Sequence, residues 1–503
     1  MNQPKCIHPV SSLEKFFSPF RQNIIGCEQF FESPFGQKRI LYADWTASGR
    51  AYGPIEARLQ DEILPFFANT HTGSTITGRM MSDAYGQAKA VIKEHVNAKE
   101  DDVLVFCGSG MTAAVNKLQR ILGLRIPERV MDHVKSFQPD ESERPLVLVT
   151  HMEHHSNHIS WLETIATVEV IRPGEDGNVD LEHLRELLER FHHRKNKIAA
   201  ITACSNVTGL ETPIHEIAEI MHDNDGLCFV DFACSASYVP INMHPGLGSA
   251  DLDAIYFSFH KFLGGPGTPG VLIFNSKLYK NRIPDQPGGG TILYSNPWKI
   301  HEYITDIGLR EDGGTPPILQ GIKAAMCIRL KEEMGVERML EREQEMIRRL
   351  LDRFEKITGV EILGTSRQRL GIISFMIKNA HYNLIVKILN DRFGIQARGG
   401  CSCAGTYGHV LLRIDEVRSY GILNSLRAGE LSCKPGWVRL SIHPTMTDAE
   451  IDYIIEAVEI TVEQVGEWGK DYAYDPASNE YTFKKLAKSD RDAGIDWFGP
   501  PLR

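Results

Sequence analysis

The segment Ser258-Phe259-His260-Lys261 follows the apolar run 254–257 and leads into the glycine-rich segment 264–267. A lysine at the end of a predicted strand, among hydrogen-bonding residues and glycines, is a candidate Schiff-base lysine. Further upstream, a second apolar run over 227–230 ends in Asp231. Pyridoxal phosphate (PLP) enzymes pair a lysine, which binds the cofactor's aldehyde, with a carboxylate that faces the pyridinium nitrogen. Together the two residues predict a PLP cofactor.

Composition places the chain among soluble globular proteins. With 503 residues it is long enough for two or three domains, and its 42% apolar and 24% charged residues are ordinary values. The net charge of −10 argues against nucleic-acid binding. The sequence has no apolar run of the ~18 residues that a membrane span requires and no signal-like N-terminus, so we expect no membrane partner and a cytoplasmic location.

Cysteine usage points to free thiols rather than to disulfides or zinc. The ten cysteines are scattered, and only Cys401 and Cys403 lie close together. This spacing fits neither a disulfide scaffold nor a CxxC zinc pattern. We expect no metal site from the cysteines.

Alternating patterns from about residue 101 to 275 predict an α/β fold. Short apolar segments typical of strands alternate with helical patterns, which favours a mostly parallel sheet flanked by helices. The predicted strands cover 103–106, 146–150, 198–202, 227–230, 254–257 and 271–274. One intervening helix has Thr212 as its predicted N-cap and Pro213 at its first helical position.

The rest of the chain predicts a smaller C-terminal α+β domain. A charged helical segment over 323–358, with a break near Met334-Gly335, would connect the two domains. The small domain is predicted from strands at 372–377 and 437–442, a helix over about 382–393, and the capping box that begins at Thr447. The predicted division is an N-terminal segment (1–40), a large PLP-binding domain (41–325), a small domain (326–475) with a mobile cysteine loop near 398–408, and a tail (476–503). Polar stretches at about 125–144 and 413–435 are interpreted as surface insertions.

A phosphate-binding turn is predicted at residues 108–112. This Gly-Ser-Gly-Met-Thr segment lies between a predicted strand and a predicted helix, where backbone N–H groups, a hydroxyl and a helix N-terminus can bind an anion. An ordinary strand-to-helix turn would use the same residue types.

The histidine cluster His151, His154, His155 and His158 has competing interpretations. It follows a predicted strand, so one ring could stack on a cofactor at the carboxyl edge of the sheet. If the segment were helical, the four rings would share one face and a metal site would be conceivable. Solvated or structural histidines are the third interpretation.

Other candidates are polar residues in or after predicted strands. Asp231 could equally be a helix cap or part of a salt bridge, and Asn206 could contact the cofactor's phenolic oxygen or simply form a turn. Arg439 lies inside an apolar strand, so it needs an anion, which is either a substrate carboxylate or an internal partner. The loop 398–405 carries Cys403, and it is either a mobile loop that delivers a thiol or a flexible loop with incidental cysteines.

These residues and motifs resemble the class V aminotransferase family of fold-type I PLP enzymes, and within it the group II cysteine desulfurases and selenocysteine lyases. The resemblance covers roughly residues 40–465 in collinear order. It is carried by segments 42–48 (Tyr-Ala-Asp-Trp-Thr-Ala-Ser), 68–73 (Ala-Asn-Thr-His-Thr-Gly), 152–157 (Met-Glu-His-His-Ser-Asn) and 398–404, in which Arg398, Gly400, Cys403 and Ala404 match an Arg-x-Gly-x-x-Cys-Ala pattern.

The resemblance implies specific roles for residues of this chain. Lys261 would be the Schiff-base lysine, His154 the stacking ring and Cys403 the nucleophile. The remaining implied contacts are Asp231 with the pyridinium, Asn206 with the phenolic oxygen, Gly110, Met111, Thr112, Ser258 and His260 with the phosphate, and Arg439, His71 and Ser48 with the substrate. A homodimer is implied as well, in which Thr315 reaches the phosphate of the other subunit.

The sequence also departs from the family at the site. Where the family has Asp-Gly-Ala-Gln, this chain has Asp231-Phe232-Ala233-Cys234, and the histidines that commonly precede the nucleophile are Cys401 and Ser402. Ser235 is a candidate substitute for the missing glutamine.

The resemblance predicts a cysteine desulfurase-like enzyme that converts cysteine to alanine and leaves a persulfide on the enzyme, with a protein as sulfur acceptor. The main alternative is another class V reaction, that of a selenocysteine lyase, amino-acid lyase, epimerase or aminotransferase, in which Cys403 is not catalytic. More remote alternatives are a metal-dependent hydrolase that uses the histidine cluster and a non-catalytic carrier protein that retains the fold.

Overall fold

The computed structural model describes residues 11–485, except 71, 131, 134–139, 247 and 365, together with residue 499. The helices are α1 (Ser12–Gln22), α2 (Gly53–Arg58), α3 (Ile76–His95), α4 (Met111–Ile121), α5 (His155–Leu162), α6 (Leu181–Arg190), α7 (Ile214–His222), α8 (Ile307–Arg310), α9 (Ile318–Met334), α10 (Val336–Phe354), α11 (Tyr382–Ile388), α12 (Gly405–Leu411), α13 (Glu416–Arg427) and α14 (Asp448–Trp468). The strands are β1 (Phe30–Ser33), β2 (Gly36–Arg39), β3 (Leu41–Tyr42), β4 (Asp102–Cys107), β5 (Leu146–Thr150), β6 (Thr167–Ile171), β7 (Lys197–Thr202), β8 (Gly226–Asp231), β9 (Ala254–Ser258), β10 (Gly270–Asn275), β11 (Ile292–Ser295), β12 (His301–Tyr303), β13 (Val360–Ile362), β14 (Ile372–Ile377), β15 (Ile395–Gln396), β16 (Arg398–Gly400), β17 (Trp437–Ser441), β18 (Tyr472–Asp475) and β19 (Glu480–Phe483).

The central sheet confirms the predicted fold class. Its seven strands follow the order β4-β10-β9-β8-β7-β5-β6. Neighbouring strands pair in parallel except at β10, which is antiparallel to both β4 and β9. The register aligns Thr202 with Asp231 and Asp231 with Tyr256. The carboxyl ends of the parallel strands therefore lie at one edge, where α/β proteins bind ligands.

Both faces of this sheet are buried, which explains the nearly continuous apolar strand sequences. Along β5, Val147 and Val149 pack in one hydrophobic layer with Trp161, whereas Leu146 and Leu148 belong to the layer on the opposite face. A strand covered on both sides needs apolar residues at every position. All six predicted strands are present.

The C-terminal part of the chain forms a four-stranded antiparallel sheet with the order β13-β14-β17-β16. The helix break predicted near 334–335 separates α9 from α10, where Gly335 has a positive φ of 74°. β3 pairs in parallel with β15, and Asp44 forms a bridge to Ser441. Residues 42–48, the first segment of the family resemblance, therefore lie against the C-terminal sheet.

Some details differ from the sequence-based expectations. α7 begins at Ile214, one residue later than predicted, because Pro213 has non-helical ψ and is itself the N-cap. β6 was not predicted, since this half-buried edge strand includes Glu169 and lacks a continuous apolar run. β19 lies within residues 476–503 and pairs with β18. Of the two predicted insertions, 413–435 contains α13, while 125–144 lies partly outside the described residues.

Within the described part of the chain, no helix combines the length and apolar character needed to cross a lipid bilayer.

Candidate active site

A cavity of about 760 Å³ lies at the carboxyl edge of the central sheet. Most of the residues proposed from sequence line it, namely Gly110, Met111, Thr112, His154, Asn206, Asp231, Ser258, His260, Lys261, Cys403 and Arg439. Two groups of residues contribute to this cavity. The cofactor floor comprises Asp231, Ser258, His260 and Lys261, and the cysteine turn comprises residues 401–404.

Lys261 lies directly after β9 in a single 3₁₀ turn, Phe259–Lys261. The following chain packs so closely that a Cβ on Gly265 would lie 1.9 Å from the Phe259 carbonyl oxygen. No described residue accepts a hydrogen bond from the Lys261 side chain, and burial lowers the pKa of this lysine because it disfavours the charged form. The surroundings therefore favour the neutral, nucleophilic amine that an aldehyde requires.

Asp231 ends β8 and is almost fully buried. Its Oδ1 accepts a hydrogen bond from the Ala233 N–H at 2.8 Å. Burial raises the pKa of Asp231 to about 6, an effect that the Ala233 hydrogen bond and Lys261 oppose. A buried carboxylate of this kind calls for a cation, and a protonated pyridinium nitrogen is such a partner. The floor thus fits the PLP ring.

The N-terminus of α4 provides the candidate phosphate site. Gly110 is its N-cap, and the Met111 N–H donates to Ser258 Oγ at 2.7 Å. A Cβ on Gly110 would lie 3.0 Å from Ser258 Oγ and 3.1 Å from a carbon of the His260 ring, so only glycine leaves this approach open. A helix N-terminus beside hydroxyl groups suits an anion.

Three further side chains complete this end of the cavity. Thr112 Oγ1 lies 2.7 Å from Ser156 Oγ, and both residues line the cavity. His260 Nδ1 lies 3.1 Å from the Ser109 carbonyl oxygen, to which it donates. The other His260 nitrogen needs a proton before it can donate to a phosphate oxygen, and an anion at that position favours the protonated form.

The histidine cluster does not lie on one helical face. α5 begins at His155, and His154 is its N-cap, with Nδ1 accepting from the Ser156 N–H at 3.1 Å. Burial, followed by the charge of Lys261, lowers the pKa of His154 to about 4. A neutral ring that lines the cavity suits stacking on a cofactor.

The other three histidines contact different groups. His151 lies near the Gly177 carbonyl, His155 binds the backbone of Gly405, and His158 binds the hydroxyl of Thr406. In the part of the chain that the structure describes, no group of three or more His, Cys, Asp or Glu side chains is arranged to hold a metal ion. The geometry gives no support to the metal-dependent hydrolase.

Arg439 has an internal anionic partner, one of the two interpretations offered for it. Its Nη2 lies 2.8 Å from Asp44 Oδ1, and its Nη1 donates to the Asn206 carbonyl at 3.1 Å. Its Nε is buried and has no hydrogen-bond partner among the described residues. Arg398 pairs with the other oxygen of Asp44 at 2.8 Å. An internal ion pair therefore orients Arg439, and its Nε remains without a hydrogen-bond partner among the described residues.

The cysteine turn brings Cys403 to the cavity. Ser402 and Cys403 have positive φ values of 52° and 55°, and the Ala404 N–H donates to the Cys401 carbonyl at 3.0 Å. Asn206 Nδ2 donates to the Ser402 carbonyl at 2.7 Å, so its amide contacts the turn. Cys403 is exposed and lines the cavity, whereas Cys401 is half-buried and is not among the lining residues.

Three predicted site residues lie outside this group. Ser48 donates to the Gly49 carbonyl at 3.1 Å and is not among the cavity-lining residues. Thr315 is exposed and accepts a hydrogen bond from Asn69 at 3.2 Å. His71 lies outside the described residues.

Several residues at the site are not among those predicted from the sequence. Asp44 belongs to the segment 42–48 and has no predicted role, although a buried arginine in a strand indicates that an acidic partner is near. Ser156 follows the histidine pair and gave no signal of its own. Cys204 and Cys234 line the cavity with their sulfur atoms 4.0 Å apart, whereas Ser235, the candidate substitute for glutamine, does not line it.

Comparisons with known proteins agree with the fold. The family model described as aminotransferase class-V matches residues 41–454. A probable cysteine desulfurase of Halalkalibacterium halodurans is 29% identical over 373 residues, which cover 73% of this chain and 84% of that protein. A probable cysteine desulfurase of Staphylococcus epidermidis is 29% identical over 380 residues, covering 74% of this chain and 85% of that protein.

Solved structures share the fold. The apo structure of a cysteine desulfurase from Thermococcus onnurineus aligns with a TM-score of 0.70 and 23% identity, covering 88% of this chain and 98% of that one. A cysteine desulfurase from Escherichia coli in an S-sulfonic acid form aligns with a TM-score of 0.68 and 19% identity, covering 89% and 98%.

Proposed function

The chain belongs to the class V aminotransferase family and is a PLP-dependent enzyme, and on this basis we propose that it is a cysteine desulfurase that releases alanine and retains the sulfur as a persulfide on Cys403. The observation that carries the proposal is the position of Cys403, which the C-terminal part of the chain brings to the cavity that Lys261 and Arg439 also line. The names of the 29% identical relatives support the same reaction.

In this proposal the cofactor floor would hold PLP. Lys261 Nζ would bind the aldehyde, Asp231 would pair with the ring nitrogen, and His154 would stack on the ring. The N-terminus of α4, with Thr112, Ser258 and His260, would hold the phosphate, and Asn206 would contact the phenolic oxygen. Bound PLP withdraws electrons from the α-carbon of an amino acid and thereby acidifies its α-proton.

The remaining steps are assigned to side chains of the protein. Arg439 orients the substrate carboxylate, and Lys261 removes the α-proton and later returns a proton to carbon. The Cys403 thiolate attacks the substrate sulfur, so that an S–S bond forms as the carbon–sulfur bond breaks. The electron pair of the broken bond stays on the substrate carbon, which takes up protons and leaves as alanine.

We further propose a homodimer that acts on free cysteine and passes sulfur to a protein acceptor. Thr315 is exposed and lies outside the cavity of its own subunit, as expected of a residue that serves the partner's phosphate site. The β11–β12 hairpin carries large exposed apolar residues, among them Leu293 at 69% and Trp298 at 78% exposure. Such a patch is typical of an interface. A Trp298→Asp variant that sediments as the wild-type dimer would argue against this face.

One experiment tests cofactor, lysine and substrate together. The visible spectrum of the purified protein is recorded before and after cysteine is added, and borohydride reduction followed by peptide mapping identifies the modified lysine. We expect modification at Lys261 and formation of alanine from cysteine. If a panel of other amino acids reacts while cysteine gives no alanine, the alternative class V reactions replace this proposal.

A further inference from the structure

We propose that His155 is a positioning residue that holds the cysteine turn and so places the Cys403 thiol at the cavity. This inference rests on the proposed role of Cys403 and adds to it a residue that is not among those lining the cavity. Three observations support it: the backbone of the turn, the bonds to His155, and the position of His155 in the chain.

The backbone of the cysteine turn needs external support. Ser402 and Cys403 both have left-handed φ values, 52° and 55°. Residues with a side chain disfavour this region, and two in succession persist only where the surroundings hold them. The internal hydrogen bond from the Ala404 N–H to the Cys401 carbonyl closes the turn but does not attach it to the large domain.

His155 provides that attachment from both its backbone and its ring. Its N–H donates to the Cys403 carbonyl at 2.7 Å, and its Nε2 accepts from the Gly405 N–H at 2.8 Å. One residue therefore binds the chain on both sides of Ala404. A Cβ on Gly405 would lie 2.9 Å from His155 Nε2, so the glycine is what permits this contact.

The ring of His155 is neutral, as its role as a hydrogen-bond acceptor requires. Because Nε2 accepts an N–H, it must be unprotonated, and burial, followed by the charge of Lys434, lowers the pKa of His155. His155 is also the first residue of α5 and the neighbour of His154. In this proposal His154 stacks on the cofactor and its neighbour His155 holds the cysteine turn. The position of the Cys403 thiol is therefore coupled to that of the His154 ring.

Neighbouring contacts strengthen the attachment but are more distant from the thiol. His158 Nδ1 lies 3.0 Å from Thr406 Oγ1, and Thr208 Oγ1 lies 3.1 Å from the Tyr407 hydroxyl. Asn206 holds the Ser402 carbonyl but also faces the cavity. His155 bonds directly to Cys403 and Gly405, and its side chain, unlike that of Asn206, can be changed without altering the lining of the cavity.

The test compares three substitutions at position 155. His155→Leu removes the acceptor, His155→Gln places an oxygen near the position of Nε2, and His155→Asn is too short to reach Gly405. His183→Leu is the matched control, because His183 also accepts a backbone N–H, that of Arg172, and lies outside the cavity lining. Melting curves establish that each variant is folded.

Two measurements decide the outcome. In the cofactor-free protein, the rate of Cys403 alkylation by iodoacetamide, read by mass spectrometry, should rise several-fold in the Leu and Asn variants and stay near wild type in the Gln and His183→Leu variants. In the PLP-loaded enzyme, kcat for alanine should fall about tenfold to a hundredfold in the Leu variant, as expected for a misplaced reactive group, with KM and the visible spectrum unchanged.

Unchanged alkylation and kcat in His155→Leu would overturn the inference. So would a Gln variant as impaired as the Leu variant, since the acceptor would then not matter. If Cys403→Ala still formed alanine at the wild-type rate, the proposed sulfur transfer would fail, while the alkylation rates would still decide whether His155 holds the turn.

Discussion

The cofactor floor and the cysteine turn bring reactive side chains to one cavity by different means. Asp231 and Lys261 lie at or just after the carboxyl ends of β8 and β9, so the pairing of buried strands sets where they are. Cys403 lies between β16 and α12 on a left-handed turn that is bonded to Asn206 and His155. The floor is therefore positioned by the sheet, whereas the turn is positioned by contacts between distant parts of the chain.

The largest effect is expected on the floor. Lys261→Ala should reduce turnover to background and remove the visible absorption of covalently held cofactor, because no other lysine lines the cavity in the described part of the chain. Absorption spectra, borohydride reduction and an alanine assay measure this. A yellow chromophore that survives in the variant would contradict the assignment of Lys261.

Changes in the turn should leave the floor intact. Cys403→Ala should retain the wild-type visible spectrum but form neither persulfide nor alanine above background, since the thiol acts only on the substrate sulfur. Cys401→Ala is the matched control, and we expect near-normal turnover because Cys401 does not line the cavity. Loss of the chromophore in Cys403→Ala would contradict the claim that the cysteine turn and the cofactor floor act separately.

Loss of the Asp231 carboxylate should weaken cofactor binding without abolishing it. Removing one partner of a buried charge pair costs about 2–5 kcal/mol, so Asp231→Ala should weaken PLP binding by roughly thirtyfold to several thousandfold. Burial raises the pKa of Asp231 to about 6, so the carboxylate is ionised above this pH and PLP affinity should fall as the pH drops below it. Spectroscopic titration of the apo protein at several pH values measures both effects, and an affinity independent of Asp231 would exclude the ion pair.

The smallest effect is expected at His443, which follows β17 and packs against the rings of Trp45 and Tyr238. It is 3% exposed and stacks on Trp45 with ring centroids 4.2 Å apart. Burial lowers the pKa of His443 to about 3, so the unfolded chain takes up the proton first as the pH falls below the ordinary value of about 6.5. The free energy of unfolding should therefore decrease by about 1.4 kcal/mol per pH unit from this group.

Urea unfolding at pH 7, 6 and 5 tests this dependence. His443→Phe, which retains a ring for Trp45, should show a shallower loss of stability with acid than the wild type. Equal slopes for the two proteins would indicate that His443 titrates normally in the fold.

The sequence predicted the floor more fully than the turn. Apolar runs that end in Asp231 and in Ser258-Phe259-His260-Lys261 identified buried strands, and parallel strands must place such ends at the same edge. The phosphate-binding turn predicted before α4 follows from the same reasoning. β6 was not predicted, because an edge strand is buried too little to need an apolar run.

The histidine cluster shows where local pattern fails. His151, His154, His155 and His158 are close in sequence, yet one forms the cavity wall while His155 and His158 bind the chain near Cys403. Asp44 is separated from Arg439 by most of the chain, and the two residues meet where β3 pairs with β15 and Asp44 forms a bridge to Ser441 of β17. The sequence around Asp44 does not indicate that Arg439 is its partner, and the sequence around Arg439 does not indicate Asp44.

By itself the sequence determined the fold class, the lysine and the carboxylate of the floor, since hydrophobic periodicity and strand ends are local properties of the chain. Only the tertiary structure decided which side chains meet Cys403, that Asp44 orients Arg439, and that Cys234 rather than Ser235 lines the cavity. These contacts join residues far apart in sequence, and their geometry depends on how the C-terminal sheet packs against the carboxyl edge of the central one.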